Sequence, residues 1–318
     1  MSAPWRLATL AFLVVAVPLQ AQHRNRKSHD EDRDDSEFTL DTTVAFNRSG
    51  TVDLQSFSSD IRITGWDRDE VKIHAKSRNE IRFDSSPSRV SLVENPGDHG
   101  DEDRNESGRE YGFEVSVPRS ARLVTRSISG DINVSDVADI EAHTVSGDLG
   151  ATNVASHADL ETISGDLTVT NAAAGMRAST VSGDIQARKI TGEVSAQSVS
   201  GDVVLQDVTS AFVRSETVSG ELHFSGPVDP KGRYEFHSHS GDVDLDLTGG
   251  AGNATLDVET YSGDLDTGCA MTLQPGGRGD RMGKRGTLTM GNGGGAHFVL
   301  RTFSGDLHIR GCRAHGDR

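Results

Sequence analysis

Between residues 129 and 309 the aliphatic positions follow two superposed periods. Over short stretches they alternate with polar residues, as in Leu167-Thr168-Val169 and Ile185-Gln186-Ala187. A period of two is that of a β-strand with one buried face. Over longer stretches the alternation restarts after each Ser-Gly-Asp or Ser-Gly-Glu triplet, whose serines are Ser129, Ser146, Ser164, Ser182, Ser200, Ser219, Ser240, Ser262 and Ser304. The spacings are 17, 18, 18, 18, 19, 21, 22 and 42. A fixed period near 18 signifies stacked supersecondary units.

Aligned on the triplet, the residue after the acid is always aliphatic: Ile132, Leu149, Leu167, Ile185, Val203, Leu222, Val243, Leu265 and Leu307. A second alternating segment precedes each serine, with Ile140, Ala158, Met176 and Val194 six positions before it and Ala142, Leu160, Ala178 and Ala196 four before. Each unit therefore holds two short strands and two bends. Stacking units about 4.8 Å apart places like residues above like. The pattern predicts an all-β chain, a parallel β-solenoid with two-strand rungs of about 18–22 residues. The Val, Ile and Thr enrichment and the spacing of two argue against a helical repeat.

The triplet reads as a bend, with Gly supplying backbone freedom and Ser and Asp bonding nearby main-chain N–H groups. Its acids would form a ladder in which neighbours repel by about 1 kcal/mol per pair in water. A cation bound between rungs, with Asp166 and Asp184 as its candidate ligands, would offset that. One carboxylate per rung falls short of the six to eight oxygens that calcium takes, so turn chemistry is the preferred reading. His237 and His239 are the one tight His pair; on a strand they share a face and form a metal or acid–base candidate, set against plain surface decoration. Neither a metal nor a cofactor is expected.

The residue before each serine is apolar at Ile128, Val145, Ile163, Val181, Val199, Val218, Tyr261 and Phe303, with His239 at the equivalent place in its turn. Two arrangements are open. Strict alternation buries the preceding Thr or Ser and leaves this column outside as an interaction stripe. A twist at the corner would reverse the two.

The flanks divide the rest of the chain. Arg6 and the apolar run Leu7 to Leu19 read as a secretory leader, residues 1–21, cleaved after Ala21. The run is short of the roughly 20 apolar residues that span a bilayer, so no transmembrane anchor is expected after cleavage. Residues 22–37 read as a disordered charged tether. Residues 38–118, with the degenerate turn Ser58-Ser59-Asp60 and an acidic loop at 95–110, read as an irregular N-terminal β cap protecting the open sheet end. The solenoid then occupies 119–312, with a Gly-rich insertion at 268–295, and 313–318 form a tail.

The whole has 318 residues with 35 Gly, 5% aromatics and a formal charge of −16, a profile that suits a thin repetitive core and excludes nucleic acid as partner. Arg278-Gly279-Asp280 in the insertion is read as a chance tripeptide. The only cysteines, Cys269 and Cys312, lie near one edge on adjacent rungs by this alignment, within reach of a disulfide that would clamp the final turn.

The Thr-Val-Ser-Gly-Asp turns, the stretch "EVSVPRSARLVTRSISGDI" (114–132) and the stretch "VDLQSFSSDIRITGWDRDEVKIHA" (52–75) resemble the bacterial putative-adhesin domain family of exported β-strand-repeat proteins, a domain of unknown function. The resemblance spans about residues 38–310. It implies a β-solenoid and export to the periplasm, the cell envelope or the medium, and it carries over no catalytic residues. No Ser/His/Asp arrangement or phosphate-cradling loop stands out. The expectation is a noncatalytic adhesin-like or structural module of the bacterial envelope, whose partner is an envelope protein, a polysaccharide or another copy of itself. The alternative is a carbohydrate-active β-helix protein acting on polysaccharide.

Overall fold

The structure, a computed structural model, is described over residues 37–96, 111–248, 252–273 and 284–311. The leader, nearly all of the tether, most of the acidic loop, Arg278-Gly279-Asp280 and Cys312 lie outside the described residues. Those described form 26 strands and no helix, an all-β, solenoid-like arrangement.

In the middle of the chain each repeat contributes one strand to each of two sheets. One sheet stacks Ile132–Val137, Leu149–Val154, Leu167–Ala172, Ile185–Ile190 and Val203–Gln206 in parallel. The other stacks Asp139–Ser146, Ala158–Ser164, Gly175–Ser182, Glu193–Ser200 and Ser210–Ser219. Register sets Leu149 against Leu167 and Leu167 against Ile185, all of them buried. Ala142, Leu160, Ala178 and Ala196 face them from the second sheet's strands and are buried too. Small residues on one side let the sheets approach closely, which is why so few aromatics suffice here.

The second bend expected in each rung is made by residues that the repeat pattern did not single out. Asp136, Asn153, Asn171, Lys189 and Asp207 adopt left-handed backbone with φ between 55° and 61°. Asn and Asp enter this region more readily than other residues with a Cβ. Their amides also bond along the stack, Asn171 Nδ2 donating to Asn153 Oδ1 at 2.8 Å.

The ends follow another rule. The 19-residue strand Leu222–Ser240 serves both sheets, pairing with Val203–Gln206 by its first residues and with Ser210–Ser219 by its last. Beyond it, stack order departs from chain order. Ala296–Ser304 lies between that strand and Ala254–Ser262, and Leu307–Arg310 lies between Val243–Thr248 and Leu265–Thr267. The last turn in sequence, which the disulfide was expected to clamp, is thus an inner turn of the stack, covered on both sides. The physical reason lies in the side chains: Phe298, Leu300, Leu307 and Ile309 are fully buried by the insertion, whereas Leu265 and Thr267 stay half-buried on the outer rung. The Gly-rich insertion is more than a loop. It contains Met271–Leu273 and Lys284–Met290, which pair antiparallel with each other and extend the second sheet beyond Ala254–Ser262.

The N-terminal end repeats the device. Thr51–Gln55 lies between Arg89–Glu94 and Arg122–Ser127, and Asp60–Trp66 between Gly112–Pro118 and Ile132–Val137. Antiparallel strands follow outward: Glu70–Ser77 on Gly112–Pro118, Phe38–Ala45 on Glu70–Ser77, and Ile81–Ser86 on Arg89–Glu94.

Candidate interaction surface

The Thr-Val-Ser-Gly-Asp turn divides its five residues between three tasks. The Thr or Ser at its start is buried, and in the middle of the stack, at Thr162, Thr180, Ser198 and Thr217, its hydroxyl donates to the glycine carbonyl one rung back: Thr180 Oγ1 to Gly165 O at 3.3 Å, Ser198 Oγ to Gly183 O at 3.2 Å. Glycine is required by close approach. A Cβ on Gly183 would stand 2.0 Å from the Gly165 carbonyl oxygen, a separation no neighbour's adjustment could relieve.

The acid closes the turn. Asp166 Oδ1 accepts the main-chain N–H of Asp184 at 2.8 Å, and Asp184 Oδ1 accepts that of Asp202 at 2.8 Å. The same bond runs from Asp60 and Asp131 through Asp148, and its far end follows stack order, Asp242 to Asp306 to Asp264. A charge-assisted bond at every rung but that of Glu221 to Asp242 offsets the repulsion of the column. The carboxylates of Asp166 and Asp184, the candidate cation ligands, are therefore each engaged by one main-chain N–H.

With Thr inside, the next side chain points out. Ile128, Val145, Ile163, Val181, Val199, Val218, Tyr261 and Phe303 are 44–53% exposed, so the alternation continues through the corner without a twist. Phe57, at 37%, joins the column ahead of Ile128, because the turn Ser58-Ser59-Asp60 stacks directly on Ser129-Gly130-Asp131. Its signal was a displaced Ser-Ser-Asp in place of Ser-Gly-Asp. At the other end the imidazole of His239 stacks on Phe303 at 4.9 Å and Phe303 on Tyr261 at 4.7 Å. The column thus reads, in space, Phe57, Ile128, Val145, Ile163, Val181, Val199, Val218, His239, Phe303 and Tyr261.

His237 shares the outer face with His239. Its Nδ1 lies 3.4 Å from Glu216 Oε1, and burial pushes its pKa below the usual imidazole value against the opposing pull of that carboxylate. Among the described residues no cluster of three or more His, Cys, Asp or Glu side chains is placed to hold a metal ion. Cys269 is disulfide-bonded and buried beside Ile309, its Sγ 3.9 Å from that residue's carbonyl oxygen. The chain's other cysteine, Cys312, is outside the described residues.

One functional-looking group escaped the sequence reading. Glu94 is buried at the first turn, where its carboxylate accepts bonds from Ser56, Ser59 and Ser77 hydroxyls, the Asn79 amide and the main-chain N–H groups of Phe57, Ser58 and Ser59. Burial alone would raise its pKa. The bonds from Ser77, Asn79, Ser56 and Phe57 outweigh it and hold the pKa down at about 2. The carboxylate fills the turn at the outer rung and fixes Phe57, the first member of the exposed column. A lone acid at the end of a strand gave no signal in sequence.

Residues 113–232 match the Toastrack DUF4097 family. The resemblance drawn from the repeated turns therefore holds at the level of a domain of unknown function. Solved structures with a similar arrangement include a putative lipid binding protein from Parabacteroides distasonis, at 10% identity and TM-score 0.48 over 86% of this chain and 97% of that one. Another is a putative adhesin from Bacteroides fragilis, at 8% identity and TM-score 0.40 over 86% and 99%. A third is a putative cell adhesion protein from Clostridium sporogenes, at 9% and 0.28 over 86% and 99%. At these scores none carries an argument about this chain beyond the Toastrack match. No curated protein matches it. Among the described residues no helix is long and apolar enough to cross a membrane.

Proposed function

We propose that the protein is a noncatalytic interaction module of the bacterial cell envelope, exported by a leader cleaved after Ala21 and built on a parallel β-solenoid with rungs of about 18–22 residues and an irregular N-terminal β cap. It works by presenting a surface to an envelope protein or polysaccharide. The observation that carries this reading is the continuous exposed column of nine apolar side chains and His239, on a scaffold most of whose turn carboxylates are engaged in holding rungs together. A continuous exposed apolar stripe that spans a whole domain marks a contact site.

Cell fractionation tests the location, and incubation of the purified chain with envelope polysaccharide tests the chemistry. The expected results are a mature chain beginning at Gln22 in the envelope fraction and no change in polymer length. Depolymerisation would overturn the noncatalytic reading in favour of a carbohydrate-active protein.

A further inference from the structure

The exposed column has a chemically distinct border on one side. Three residues beyond each apolar side chain stands the turn acid, so the stripe is accompanied by Asp60, Asp131, Asp148, Asp166, Asp184, Asp202, Glu221, Asp242, Asp306 and Asp264, one per rung. Two residues before the stripe the other border is mixed, with Arg126, His143, His237 and Arg301 but also Glu161, Glu216 and Glu259. Between Val181, Val199 and Val218 on one side and Ser179, Gln197 and Glu216 on the other runs a shallow depression of about 440 Å³. The period of the surface is set directly by the ring separations of 4.9 and 4.7 Å on successive rungs.

We infer that this stripe is the docking surface for a basic amphipathic α-helix of a partner protein, seated with its apolar face on the column and its Lys or Arg flank against the acid column. The inference rests on the interaction-module reading and names its surface and partner class. Period and charge both select this occupant. An α-helix returns an apolar side chain to the same face about every 5.4 Å, close to the rung period, so a helix of about four turns stays within half a rung of register. An extended strand repeats its face about every 6.8 Å and loses register after two side chains. A second copy fits worse. Two stripes packed antiparallel bring acid column against acid column, and two packed parallel set each acid column against a mixed flank whose His143, His237 and Arg301 already lie beside Glu161, Glu216 and Glu259. A lipid surface would bring the acid column close to phosphate groups.

The test uses the purified full chain and an about 18-residue Leu/Lys peptide with Leu on one helical face, followed by fluorescence anisotropy. Its controls are a scrambled peptide of equal composition and the same helix with Glu for Lys. Binding of the Lys helix alone is expected, weakening as salt rises. Val181→Ser with Val199→Ser, both at exposed positions, should weaken it about tenfold without moving the melting temperature. Asp166→Asn, Asp184→Asn and Asp202→Asn together keep an Oδ1 acceptor for the ladder, and should weaken binding several-fold and flatten its salt dependence. Equal binding of the scrambled peptide, or no effect of the valine changes, would overturn the inference. So would valine-dependent dimerisation in sedimentation, or valine-dependent binding to phosphatidylcholine vesicles. If the valine variant still binds an envelope fraction as wild type does, the module reading stands and only this surface is wrong. If wild type binds the helix but no envelope component, the module reading fails and this one stands.

Discussion

The middle of the stack and its two ends are built from the same rung but are held by different means. From Ser129 to Ser219 each rung repeats its neighbour: an aliphatic or alanine core, a carboxylate bonding across the Ser-Gly-Asp corner, joined from Thr162 onward by a hydroxyl, and a left-handed residue at the other corner over most of the run. At both ends chain order and stack order part, antiparallel strands take over, and larger side chains or a buried charge replace the repeat. At the C-terminal end Tyr234 stacks on Phe298 at 4.6 Å and Phe224 lies 5.4 Å from Phe236. At the N-terminal end the Glu94 carboxylate fills the corner. The difference teaches that a repeat solves the problem of propagation, while termination needs its own chemistry: a parallel rung left outermost would offer two bare edges to other chains.

The largest expected effect lies in the middle. Leu167→Asp sets an uncompensated carboxylate between Leu149 and Ile185 and should abolish cooperative unfolding, whereas Gln186→Asp, on the exposed face one rung away, should cost less than about 0.5 kcal/mol. Urea unfolding of both variants checks the facing of the strands; equal losses would contradict it. At the C-terminal end Phe298→Ala removes the ring stacked on Tyr234 and should cost about 3–5 kcal/mol by the same measurement. A loss well under 2 kcal/mol would mean that this rung is an exposed terminus rather than an insertion.

Glu94 sharpens the comparison through pH. Its folded pKa of about 2 lies below the ordinary glutamate value of 4.5, so its contribution is fully present above about 4.5 and is lost as pH falls towards 2. The depression corresponds to about 3 kcal/mol. Glu94→Gln should be destabilised relative to wild type at neutral pH, with the gap closing between pH 4.5 and 2. A gap independent of pH would show that the ionised carboxylate is not what holds the first turn.

The regular middle was legible because its physics is periodic. Strand facing and the two-strand rung follow from alternation that restarts at each Ser-Gly-Asp, while the facing of the column at the corner was left open between two arrangements and is decided by the exposure of its side chains. The reason for the glycine was read only in part: backbone freedom was visible, but the contact of Gly183 with the Gly165 carbonyl exists only once rungs are stacked. The other corner hid because Lys189 interrupts a column otherwise made of Asn and Asp. The exchange of rung order at the ends was not legible at all, since Ser262 and Ser304 carry the same motif and nothing local says which lies outside. Lys189 offers the smallest prediction. Lys189→Asn relieves a left-handed residue and should raise stability by up to about 1 kcal/mol, read as a small upward shift in Tm; no shift would mean that the backbone there costs nothing.

The continuous column, with its His239, Phe303 and Tyr261 ladder, depends on the exchanged order of the last turns. Cysteine pairs test that order most directly. Ser240 and Ser304 are register partners on neighbouring strands, as are Ser304 and Ser262, whereas Ser240 and Ser262 stand two rungs apart at about 9.6 Å, beyond the reach of a disulfide. Mass mapping of oxidised Ser240→Cys/Ser304→Cys should find the new bond, and Ser240→Cys/Ser262→Cys should yield none. A bond in the second pair and none in the first would restore chain order to the stack and contradict the account.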